Sequence, residues 1–364
     1  MSPGYGFTTG TCAAGAARAA ALGLTTGSVP GSVEVVTPSG VVARLEVLEE
    51  EFRPGEFVRC AVRKDAGDDP DVTHGCLIVA RVEQCQEDGV VINGGDGVGR
   101  VTKPGLRMPP GEAAINPVPR EMIRASVSEF IPEGMGLSVT ISVPGGEGIA
   151  EKTFNPRLGI IGGISIIGTT GIVRPMSQES FKTSLVCALD VAGAMGYETV
   201  VLVPGNLGEK AFQKTFKVAP EQVVQIGNYL GFMLIEARKR KFRRIILAGH
   251  PGKLAKFIRG DLDTHSMKSP PAMDAVIKIL EENGLEKSII EVVKDSPTVE
   301  GIIQQLKKCD KLFMMEHVAN IIEEKARDLL GPGVETGAVL FDMQMRLTAI
   351  SKGAGDWQKS LQTT

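Results

Sequence analysis

RIILAGHPGK (residues 244–253) is an apolar run that ends in glycines and opens onto helix-forming residues; TVVLVPGNLG (199–208) and GISIIGTTGIV (163–173) repeat that order. Short apolar runs bounded by glycine predict buried strands. Between them lie amphipathic stretches such as 181–195, where Leu185, Ala188, Val191 and Met195 fall near one face of a helix. Strand alternating with helix predicts an α/β domain over 151–364 with a mostly parallel, Rossmann-like sheet. Ligands of such sheets sit beyond the carboxyl ends of the strands. That makes Gly163, Gly168, Thr169, Thr170, Gly171, Gly205, Asn206 and Gly249 the first candidates for binding a cofactor.

Outward from these loops the texture changes. Residues 1–150 predict an α+β domain whose strands and helices are interspersed irregularly. TCAAGAARAAA (11–21) has high helix propensity, with Thr9 or Thr11 to cap it and Gly23 to end it. VEVVTPSGVVARLEV, EFVRCAVR, CLIVARVEQCQEDGVVI and LSVTISVP read as strands, and 119–130 as a helix. Towards the end, Ser269–Pro270 and Ser296–Pro297 predict helix starts, Gly284 and Gly331–Pro332 predict stops, and AVLFDMQMRLTAIS predicts a last strand.

Of 364 residues, 43% are hydrophobic and 23% charged, which suits two packed domains. A net charge of −3 gives no global field to attract nucleic acid or an anionic membrane. The uncharged run 158–173 is too short and too glycine-rich to span a bilayer. Six cysteines without a CxxC pair, and four histidines away from zinc-finger spacing, predict free thiols, no metal site and a cytoplasmic location. No residue pattern speaks to oligomeric state.

Several motifs invite a sharper reading, each against a plainer one. AGHPGKLAKF has phosphate-loop order but lacks Walker spacing, and Leu254 stands where the magnesium-binding hydroxyl belongs; Lys253 can hold a carboxylate or stay solvated. LDVAGAMG (189–196) imitates a nucleotide-binding glycine signature but precedes a strand rather than following one. DAGDDPDVTHG gathers Asp69 and His74 among loop carboxylates that can take a proton, although solvated acidic turns are commoner. Arg100 and Lys103 on glycine-rich loops, with Arg120 and Arg124 downstream, can pair with carboxylates. The basic run ARKRKFRR (237–244) reads as cations at a helix end.

In order and spacing, GFTTGTCAAGAARAA, KDAGDDPDVTHG, GVGRVTKPGL, GEAAINPVPREMI, RLGIIGGISIIGTTGIVRPMS, VPGNLG, IGNYLGF and GHPGKLAKFIRGDLDTHS closely resemble the CbiD family of anaerobic cobalamin biosynthesis. The words run from residue 6 to residue 266; the last hundred residues match less distinctively. Tyr229 and Pro251 depart slightly from the family pattern. The resemblance implies methyl transfer from S-adenosylmethionine to C-1 of cobalt-precorrin-5B, giving cobalt-precorrin-6A. It also implies that cobalt arrives inside the substrate; whether neighbouring pathway enzymes hand that substrate over is left open by the residues. A macrocycle fringed with acetate and propionate needs scattered cations, for which Arg100, Lys103, Arg120 and Lys253 are candidates, joined by Thr9 and Thr11 at a helix start. Asp69, His74 and His265 are the candidate bases. A small-molecule kinase and a non-catalytic tetrapyrrole carrier are the alternatives; the missing Walker pair counts against the first.

Overall fold

Alanine repetition produces a helix that can lie almost against a sheet. Helix α1 (Thr9–Thr26) buries Ala13, Ala14, Ala16, Ala17 and Ala19 to Ala21 completely. Its cap is Thr8, whose Oγ1 accepts from Thr11 N at 3.2 Å, and its end is Gly27 at φ 76°. Both lie outside the expected caps. Gly23 lies inside the helix, where a Cβ would sit 2.9 Å from Val29 Cγ2.

The computed structural model describes residues 4–174 and 178–362. They form two compact units, Met1–Phe181 and Lys182–Thr364. In the first, α1 packs on a mixed sheet of β1 (Leu48–Arg53), β2 (Phe57–Arg63), β3 (Leu77–Cys85), β4 (Gly89–Gly94) and β5 (Gly136–Ser142), in the order β1-β2-β3-β5-β4. Only β4 and β5 pair in parallel. Alternate residues Val58, Cys60, Val62, Ile78, Ala80, Val82, Leu137, Val139 and Ile141 join the alanines in one core. Helix α2 (Pro117–Val127) packs beside α1.

The stretch 163–173 corrects the opening expectation. It belongs to this unit and not to the parallel sheet. Gly163–Ile164 pairs with Gly97–Val98, and Ile172–Val173 with Gly6–Phe7. The change of texture near residue 150 therefore falls inside the first unit.

The second unit carries β6 (Thr199–Val203), β7 (Val223–Gln225), β8 (Arg244–Gly249), β9 (Glu335–Phe341) and β10 (Leu347–Ile350), ordered β7-β6-β8-β9-β10. The first three pairings are parallel, and β10 runs antiparallel at the edge. Strand β6 is buried along its whole length, as a strand covered on both faces must be. AVLFDMQMRLTAIS is a hairpin, β9 and β10, rather than one strand; it turns at Asp342 to Arg346 with Met345 at φ 62°. LDVAGAMG closes the helix Gln178–Ala194, and Gly196 turns the chain at φ 82° before β6.

The tail departs from its expected starts. Helix Met273–Glu282 begins after the Ser269–Pro270 pair, and the cap of helix Val299–Lys308 is Thr298, which accepts from Gly301 N at 3.0 Å. In the basic run, Lys239, Arg240, Arg243 and Arg244 all form ion pairs, with Glu236, Asp190, Glu198 and Glu335. Among the described residues, no helix is long and apolar enough to cross a membrane.

Candidate functional site

The chain passes from β6 to β7 on one side and then to β8 on the other. Such a reversal opens a crevice beyond the carboxyl ends of the two inner strands. Two glycine loops flank it. Gly205 holds φ 157° and ψ −176°, a conformation that only glycine adopts readily, and no atom lies within 4 Å of where a Cβ would stand. Its backbone is open to a ligand. Gly249, also at φ 157°, lies against Pro204; a Cβ there would come within 3.0 Å of the proline Cδ.

Side chains tie these loops together. Lys253 Nζ donates to Pro204 O at 3.1 Å from a half-buried position, and burial together with the nearby Lys256 lowers its pKa. Gln225, at the end of β7, donates to Asn206 Oδ1 at 2.6 Å and to Glu209 Oε2 at 2.8 Å. His250 Nδ1 accepts from Gly252 N at 3.0 Å, which places its proton on Nε2 for donation to Glu300 Oε2 at 2.9 Å. Buried Lys256 donates to Thr264 O (3.0 Å) and Ser269 O (2.7 Å). Thr264 N in turn donates to Asn228 O at 2.8 Å, so IGNYLGF and GDLDTHS are neighbours. His265 is exposed, and its Nδ1 accepts from Met267 N at 3.2 Å.

The first unit gathers the remaining candidates. Thr11 Oγ1 donates to Gly171 O at 2.6 Å, and Thr9 Oγ1 accepts from Ile167 N at 2.9 Å. Both threonines are buried, so their hydroxyls hold the glycine loop rather than face a substrate. Gly163 and Gly168 are glycines of close approach: a Cβ would lie 2.1 Å from Gly97 O and 2.1 Å from Thr8 Oγ1, respectively. Gly171, at φ 79°, packs on Thr37. Thr169 and Thr170 are exposed at the loop tip. Arg100 is exposed and donates to Gly111 O; the Lys103 stem packs over Gly159. Arg120 is already engaged, donating to Ile115 O at 2.8 Å and Glu112 Oε2 at 3.1 Å.

The acidic loop lies beside the strand Gly6–Phe7: Phe7 N donates to Asp65 O at 2.8 Å, and Gly4 N to Asp68 Oδ2 at 2.7 Å. Asp69 is partly buried in it. His74 is exposed, and its Nδ1 accepts from Ala66 N at 3.1 Å. Beneath the loop is a residue that the motif reading passed over. Lys64, 2% exposed, donates to Asp71 Oδ2 at 2.7 Å. Burial alone would raise the Asp71 pKa, but the bond and charge of Lys64, together with the Thr73 hydroxyl and N–H, outweigh it and hold the carboxyl below its ordinary range. Burial pushes the Cys12 thiol up to about 12 and raises Cys76, so both stay protonated. The signal for Lys64 was the phase of β2, in which Val58, Cys60 and Val62 point inward and residue 64 follows in step.

Residues 2–175 match the family described as CbiD, and residues 263–352 match the CbiD C-terminal domain. The chain is 46% identical over 304 residues to the cobalt-precorrin-5B C(1)-methyltransferase of Thermoanaerobacter sp. (strain X514), covering 84% of this chain and 82% of that one. It is 39% identical over 357 residues to the enzyme of the same name from Moorella thermoacetica, covering 97% of each. A crystal structure of the cobalamin biosynthesis protein (cbiD) from Archaeoglobus fulgidus aligns at 31% identity and TM-score 0.38, covering 77% of this chain and 84% of that one. With both parts of the chain matched, and relatives of one name similar over nearly their full length, the protein belongs to the CbiD family.

Proposed function

We propose that this protein transfers a methyl group from S-adenosylmethionine to C-1 of cobalt-precorrin-5B, giving cobalt-precorrin-6A in the anaerobic route to cobalamin. Identity to the methyltransferase from Moorella thermoacetica over 97% of both chains carries the reading. We place the donor in the second unit, whose Rossmann-like sheet has Gly205, Asn206 and Gly249 at the ends of β6 and β8. The open backbone at Gly205 and the ammonium of Lys253 suit a ligand that is part nucleoside and part amino acid.

The donor supplies a methyl on a sulfonium: the ring carbon's electron pair forms the new C–C bond as the S–CH3 bond breaks with its pair left on sulfur. No side-chain nucleophile is required, in keeping with the protonated thiols of buried Cys12 and partly buried Cys76. The protein's task is alignment and exclusion of water, which together can lower a barrier by about 7–11 kcal/mol. Arg100 and Lys103, on the first unit, are the anchors offered to the macrocycle's carboxylates, and Arg120 is less suited because its guanidinium is paired with Glu112. Among the candidate bases Asp69 is favoured. His74 and His265 each have the Nδ1 lone pair taken by a backbone N–H, which leaves only an N–H at Nε2.

Calorimetric titration with S-adenosylhomocysteine, with ATP as the comparison, tests the donor site. Saturable binding of the former alone is expected, followed by methylation of cobalt-precorrin-5B under anaerobic conditions. ATP binding with no response to S-adenosylhomocysteine would turn the reading towards phosphoryl transfer.

A further inference from the structure

Buried or half-buried ammonium groups need a compensating acceptor. Lys64 has Asp71, Lys307 has Asp342, and Lys256 has two backbone carbonyls. Lys253 differs. Its bond is to one carbonyl, Pro204 O, and no carboxylate of the described residues lies within ion-pair reach. Lys256 adds a second positive charge close by, which has Asp261 within electrostatic reach. The Lys253 ammonium is therefore left without a carboxylate, where the loop after β8 leans on the loop after β6. An ammonium has three donors, and one carbonyl leaves two of them for a ligand.

We infer that Lys253 binds the carboxylate of the methyl donor's amino-acid tail, in the crevice between the carboxyl ends of β6 and β8. The inference rests on the donor placement proposed above and narrows it to one contact. A single cation set between two strand ends matches a ligand with a single carboxylate. A macrocycle carries carboxylates all round its rim and calls for cations spread over a wide surface. Gly205, next to Pro204, leaves room for the rest of the tail to pass over bare backbone.

The test compares the full-length protein with Lys253→Met and Lys253→Arg. The probes are S-adenosylhomocysteine and its decarboxylated analogue, which keeps the amine and lacks only the acid. Lys253→Met is expected to weaken S-adenosylhomocysteine on the order of 10- to 100-fold, the usual loss of a charge-assisted bond. Affinity for the decarboxylated analogue should stay within about twofold, as it never made that bond. Lys253→Arg should recover most of the loss. Equal weakening of both probes would overturn the inference by showing that the lysine serves the fold or the nucleoside end. Unchanged donor affinity alongside weaker binding of a corrin polycarboxylate would overturn it in favour of the macrocycle. A wild-type protein that binds neither probe would remove the donor placement itself, and is distinguished by being read before any variant.

Discussion

Lys64 and Asp71 form an ion pair whose ammonium is buried and whose carboxylate is partly exposed. A buried pair contributes little net stability against an apolar substitute, but removing one partner strands the other charge. Asp71→Asn should therefore destabilise the protein by about 3–5 kcal/mol near neutral pH. The sign with pH follows from the depressed carboxyl. Its stabilisation is present above the ordinary carboxylate value of about 3.9 and is lost as pH falls through the lower folded value. Urea melts across pH should show the gap between wild type and variant closing in acid; a constant gap would contradict the pairing. At this scale the sequence was legible where chemistry follows residue type and opaque where it follows surroundings. Arg100 was read as a cation on a glycine-rich loop; it is exposed, as that reading expects, but lies on the short strand Arg100–Val101. Lys64 was hidden by its own charge, since a lysine in a strand pattern reads as surface. Thr9 and Thr11 looked like ligand groups because only the folded chain shows their bonds to Ile167 and Gly171.

Elements were legible where the apolar period is long. Strands β2, β3, β5, β6 and β8 and both early helices lie where alternation or propensity puts them. Ends were harder, because a cap is settled by one hydrogen bond among several eligible hydroxyls. Ser296–Pro297 looked like a start, yet Thr298 makes the capping bond to Gly301. Thr298→Ala should lower stability by about 1 kcal/mol in a denaturant melt, the usual worth of such a cap. No measurable change would mean that tertiary packing alone sets this helix. The stretch 163–173 shows the other limit. Its composition is that of a buried strand and a glycine loop, but composition does not name the partner strand. The partners, Gly97–Val98 and Gly6–Phe7, lie far away in sequence.

For the whole molecule, a mixed α/β fold was readable from the change of pattern, and the place where the chain divides was not. The boundary moves because threonines at the chain's beginning capture a segment whose composition resembles the later strands. A donor bound only by the second unit predicts a divided response. S-adenosylhomocysteine should raise amide-exchange protection at 204–206, 226–230 and 249–253 and leave 163–171 unchanged. Protection appearing at 163–171 instead would shift the donor to the first unit.

The bonds from Thr9 and Thr11 to the glycine loop also bear on how the protein is made. The Thr11 contact spans 160 residues of chain. A ribosome adding about 5–20 residues per second needs on the order of ten seconds to deliver Gly171 after Thr11 has emerged. Until then the capped end of α1 has no loop to close on. The start of α1 must wait, open to chaperones, for a segment made 160 residues later.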